Sequence, residues 1–166
     1  MTDKEKQELE ARRKKATLKN MRFNRYLLFR YSLSLLFFAN LYWFLIQFIN
    51  LSIYILVPVL LIAFVIMALA EQFKLYSSKE IRLNKTQFFF RIQMCVQFIL
   101  LLIILFTNQY TTIFPIFANT ALSRYFMAVI LACGILLNLG NLYRIRQIYG
   151  NCDRAFIRYK QLENTI

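Results

Sequence analysis

Histidine is missing from all 166 residues, which removes the side chain most often used as a general base or metal ligand near neutral pH. Acids are scarce too, eight Asp and Glu against 21 Lys and Arg. None of the eight lies inside a long apolar run, and no histidine exists to serve a Ser or Cys as its base. General acid–base or nucleophilic catalysis needs a titratable group held beside its partner, so no catalytic residue is assigned and the chain reads as non-enzymatic. The three cysteines, Cys95, Cys133 and Cys152, form no CxxC, which leaves no zinc site and no disulfide framework. The three glycines, Gly134, Gly140 and Gly150, make no phosphate-cradling loop. No metal or cofactor is expected. With only two prolines besides, the composition excludes a low-complexity or disordered class.

What the chain does have is apolar length. It is 59% hydrophobic, and Tyr31 to Ala70 runs for forty residues without one Asp, Glu, Lys or Arg. A bilayer core about 30 Å thick takes roughly 20 helical residues to cross, so this run predicts two crossings, broken at Asn50-Leu51-Ser52. Lipid offers the backbone no hydrogen bonds, hence helices joined as an antiparallel hairpin. Two further apolar stretches complete an all-α integral membrane protein with four transmembrane helices, over about 30–49, 52–70, 88–107 and 124–143. Pro58 predicts a kink near one end of the second. Domain organisation follows: a basic N-terminal helix over 1–29, the four-helix unit over 30–143, and a basic amphipathic tail over 144–166.

The net charge of +13 would suggest nucleic acid in a soluble protein. Here the basic residues cluster where apolar runs stop, and nucleic acid is not expected. Ten lie at or before Arg30, five between Lys74 and Arg91, and five from Arg144 onward. Only Arg124 belongs to the other side. Because Lys and Arg collect on the cytoplasmic side, this predicts both termini inside, with a bacterial plasma membrane as the expected location. The first apolar run is too long, and its basic flank too extended, for a cleaved signal peptide.

The N-terminal segment pairs Glu8 with Arg12 and Glu10 with Lys14 at i,i+4, predicting a solvated helix that enters the first span. It reads either as a plain topogenic flank or as a surface for anionic lipids. Arg22, Arg25, Arg30, Arg91, Arg124 and Arg144 are the candidate head-group contacts. The stretch Asn108 to Ser123 carries no charge. With Phe114, Pro115 and Phe117 in it, it is expected to rest on the membrane surface. The tail repeats Ile145, Ile148, Cys152, Phe156 and Tyr159 along one stripe, for a membrane interface or a partner protein. Glu71 closes the second span with Lys74 a turn away as a candidate partner.

Polar residues inside the spans are where chemistry could reside. Asn40, Trp43, Gln47 and Asn50 recur at spacings of 3, 4 and 3, and so share a helical face. Gln93 and Gln97 sit at i,i+4, and Asn138 and Asn141 lie on a stripe with Arg124, Met127, Leu131 and Gly134. Counted from Arg91 and Arg144, the amides of the third and fourth spans share a depth near the inner leaflet. Asn40, Gln47, Gln93, Gln97, Asn138 and Asn141 therefore form a candidate polar interhelical cluster. It serves either as glue between helices or as the lining of a polar path. Two functions follow. One is an accessory, scaffold or immunity-type subunit of a larger membrane complex, bound to another membrane protein or to itself. The other is a small homo-oligomeric transporter, channel or lipid-flipping subunit.

Overall fold

The computed structural model describes residues 3–77, 83–107, 109–150 and 152. Among them the chain is all-helical, in the order α1 (Asp3–Gln47), a 3-10 turn (Ile53–Ile55), α2 (Leu56–Ser77), α3 (Asn84–Phe106), α4 (Tyr110–Ile113) and α5 (Ala121–Tyr149). Four stretches are long and apolar enough to cross a membrane: Tyr26–Gln47, Ile53–Leu75, Asn84–Phe106 and Ala121–Tyr149.

Only 22 to 39% of the most apolar window of each stretch is buried inside the molecule. The remainder turns large apolar side chains outward, among them Leu35, Phe38, Ile66, Ile99, Leu105 and Val129. An apolar face of that extent is unstable against water and suits a lipid solvent. Four candidate spanning helices among the described residues are compatible with an integral membrane protein.

In the core α1 packs on α2, α2 on α3 and α3 on α5, while α1 meets α5 only sparsely. Two apolar clusters divide the interior. The first gathers Tyr26, Phe29, Leu33, Leu75, Leu83, Phe89, Ile145 and Ile148 at the end where α1 enters and α5 leaves, here called the proximal end. The second gathers Trp43, Leu61, Leu100, Ile104, Tyr110 and Leu131 at the opposite, distal end.

The spans differ from expectation at their edges. α1 is one helix of 45 residues, roughly 65 Å long, so about half of it projects beyond the bundle. Charge does not stop a helix, and the acid–base spacings of its first half favour one. α5 likewise continues through Arg144 and Arg146 to Tyr149, and Ile145 and Ile148 are fully buried. The start of the expected amphipathic tail is thus bundle core. Cys152 is exposed, and Phe156 and Tyr159 lie outside the described residues. Pro58 sits where the 3-10 turn passes into the first turn of α2, where an imino nitrogen removes no interior helical bond. The cause assigned to a kink is therefore missing.

The α2–α3 junction is held from a distance. Glu71 Oε1 accepts from Lys85 N at 3.0 Å, and Oε2 accepts from Thr86 N at 2.7 Å and from the Thr86 hydroxyl at 2.8 Å. Gln72 Nε2 donates to the same hydroxyl oxygen at 2.9 Å. A carboxylate on the first free N–H groups of α3 satisfies donors that the helix cannot, and meets the positive end of its dipole. Glu71 thus serves as the cap of α3, a different role from the expected pairing with Lys74.

Candidate functional site

Between the two apolar clusters lies a layer of carboxamides. Asn40 Nδ2 donates to Gln93 Oε1 at 3.1 Å and to Leu36 O of its own helix at 2.9 Å. Asn138 Nδ2 donates to Gln97 Oε1 at 2.8 Å. These bonds tie α3 to α1 on one side and to α5 on the other. Gly134 makes the second approach fit: a Cβ there would collide with Gln97 Nε2 and stand 3.0 Å from Gln97 Cδ. All four amide side chains are buried, Asn138 completely, and Asn138 Oδ1 has no hydrogen-bond partner among the described residues.

The layer sits near the middle of the helices, deeper than the sequence count suggested. That count took Arg91 and Arg144 as the membrane edge, whereas α3 begins at Asn84 and α5 ends at Tyr149. The pairing is also different in part. Asn141 does not share a tier with Gln93; it accepts from Ser32 Oγ at 3.3 Å, nearer the proximal end. Gln47 belongs to a third tier at the distal end.

That tier is a plug. The stretch Asn108 to Ser123 was expected on the membrane surface, yet Tyr110 and Ile113 are fully buried and Phe114 nearly so. The Ile113 carbonyl accepts from Trp43 Nε1 at 3.1 Å and from Gln47 Nε2 at 2.9 Å. Phe114 stacks on Trp43 with ring centroids 5.8 Å apart, and the Tyr110 hydroxyl meets Ser123 Oγ at 2.6 Å. Gln47 Oε1 accepts from Ser52, and Tyr54 donates to Gln109. Two indole and amide donors aimed at one backbone carbonyl give the loop a reason to fold inward that its composition alone does not reveal. Asn50, on the same sequence stripe as Trp43 and Gln47, lies past the end of α1 and is exposed.

A cleft of about 220 Å³ opens beside the amide layer. Its floor holds Asn40, Gln93, Gln97, Leu100 and Leu131, and its lip carries Ala39 and Tyr42 of α1 and Ile130 of α5, all three exposed. The mouth therefore faces sideways, between α1 and α5, which pack on each other far more sparsely than α3 and α5 do. Ser32 and Asn141 bridge α1 to α5 on the proximal side, and Phe114 and Phe117 of the plug close the distal side.

The cationic candidates do not converge. Arg30 is half-buried, with Nη2 3.4 Å from the Gln72 carbonyl. Arg91 is exposed on α3. Arg124 donates from Nε to Asn119 Oδ1 at 2.9 Å and lies 5.9 Å from the centre of the Tyr110 ring. Arg144 keeps a buried Nε without a hydrogen-bond partner among the described residues. Arg22 and Arg25 lie on α1 with side chains outside the described ones. Arg30 and Arg124 thus hold parts of the fold together, a use that the head-group reading did not anticipate.

No known protein family, curated protein or solved structure matches the chain.

Proposed function

We propose that the chain is a non-enzymatic accessory or scaffold subunit of a larger membrane assembly, of the kind that includes immunity-type proteins. Four spans cross as two antiparallel pairs with both termini in the cytoplasm of a bacterial cell, the side favoured by its lysines and arginines. The observation that carries this reading is how the interior polar groups are used. Asn40, Gln93, Gln97 and Asn138 bind one another across helices, and Gln47 holds the plug. Such bonds join helices at about 0.6 kcal/mol each. The basic half of α1 extends past the bundle as a surface for a partner or for anionic lipid.

Purification in a mild detergent after brief crosslinking tests this. A defined membrane protein should copurify in fixed ratio. Recovery of the chain alone, with or without crosslinker, would contradict the assignment.

One observation favours a second reading, a small homo-oligomeric transporter, channel or lipid-moving subunit: three of the amides line a single cleft. Flux or lipid scrambling in liposomes should then fall when Gln97 and Asn138 are both replaced by Leu. Absence of flux in the native protein would remove it.

A further inference from the structure

The hydrogen-bond inventory of the amide layer leaves specific groups unused. Asn40 spends both amide hydrogens, one on Leu36 and one on Gln93. Its Oδ1 accepts from nothing among the described residues. Gln93 and Gln97 each use the carbonyl oxygen and leave Nε2 without an acceptor among the described residues. All three side chains are more than nine-tenths buried, and all three line the cleft between α1 and α5. A donor at membrane depth with no acceptor is costly, since hydrocarbon offers none. The three amides that line the cleft thus keep two donors and one acceptor to spare, Gln97 Nε2 lying against Gly134, beneath aromatic and aliphatic walls.

Size and charge limit what fits. The volume of about 220 Å³ exceeds the ~150 Å³ that admits benzene, yet falls below the roughly 300–1,000 Å³ typical of pockets for whole drug-sized ligands. An occupant much larger than benzene must leave part of itself outside the mouth, among the exposed apolar side chains of α1 and α5, which favours a molecule at home in lipid. None of the cleft's lining residues is charged. A phosphate or carboxylate drawn to this depth would be desolvated without a counter-charge, at a prohibitive cost.

We infer that the cleft between α1 and α5 is a binding site, entered sideways from the bilayer, for a neutral lipid bearing a carbonyl or hydroxyl oxygen, which Gln93 and Gln97 bind by hydrogen bonds. Asn40 Oδ1 accepts from the ligand when its oxygen is a hydroxyl, and remains without that bond when it is a carbonyl. The site needs only that the chain lies in a membrane, and holds for either function above.

The single tryptophan makes the test direct, because Trp43 lines this cleft. Purified full-length protein in phosphatidylcholine nanodiscs is titrated with four quenchers of its fluorescence: a short-tailed benzoquinone, a brominated long-chain alcohol, a brominated alkane and a brominated phosphatidylglycerol. The quinone represents carbonyl ligands and the alcohol represents hydroxyl ligands. At least one of them should quench saturably, while the alkane and the phosphatidylglycerol quench only in proportion to their mole fraction. Unbrominated alcohol should relieve the saturable part where the alcohol is the binder. Replacing Gln93 and Gln97 together by Leu should weaken the saturable phase about tenfold. Ala39→Phe, which fills the lip without touching an amide, should abolish it with the circular dichroism unchanged. Strictly proportional quenching by all four probes in the native protein would overturn the assignment. So would saturation by the alkane or the phosphatidylglycerol at equal affinity.

Discussion

Gly134 and Gly140 lie on one helix and differ in what a methyl group would meet. At Gly134 it would drive into the buried amide of Gln97, whereas at Gly140 nothing stands within 4 Å. Gly134→Ala should therefore cost about 1–3 kcal/mol, as overpacking does, and loosen the bond from Asn138. Gly140→Ala should be neutral or stabilise by up to about 1 kcal/mol through helix propensity. Thermal unfolding in detergent, followed by circular dichroism, ranks the two. Equal melting temperatures would argue against close α3–α5 contact at the amide layer. The spacing of Asn40, Trp43 and Gln47, and of Gln93 and Gln97, was legible in sequence because 3.6-residue periodicity fixes the inward face of a helix. The identity of the partner across the gap was not, since Gln93 bonds α1 and Gln97 bonds α5 although they share a face.

At the scale of the element, two joints connect helices through side chains distant in sequence. Glu71 holds the start of α3 through three hydrogen bonds, two from free N–H groups and one from the Thr86 hydroxyl. Glu71→Ala should lower stability by about 0.5–2 kcal/mol, the usual loss for a helix cap, and Glu71→Gln by less. Melting curves of both variants check the order, and an unchanged Glu71→Ala would remove the capping role. The second joint is the plug. Because the Ile113 carbonyl takes two donors, Trp43→Phe or Gln47→Leu alone leaves one bond in place. Each single change should cost about 0.5–1.5 kcal/mol, and the pair more than the sum, since only then is a buried carbonyl orphaned. Protease cleavage within residues 107–120 reports the opening. Strict additivity would mean the two donors act on separate structures. Neither joint was legible from sequence. A charge-free, aromatic loop suits the membrane surface as well as a bundle end, and an acid at a span edge looks solvated until the helix it caps is in view.

For the whole molecule, the absence of charge over 31–70 was enough to predict two of the four candidate spanning helices, because no short-range preference competes with burial on that scale. Helix ends were less legible, since charged residues such as those of the first half of α1 and Arg146 of α5 extend helices that apolar runs begin. Central to the proposed function is that four helices cross a bilayer and bring the lysine- and arginine-rich segments to one side. Reporters active in only one compartment, fused after Asn50, Ser78 and Asn119 in full-length chains in cells, measure this directly. Asn50 and Asn119 should report the outside and Ser78 the cytoplasm. Asn50 and Ser78 on the same side would contradict four crossings, and with them every function proposed for the bundle.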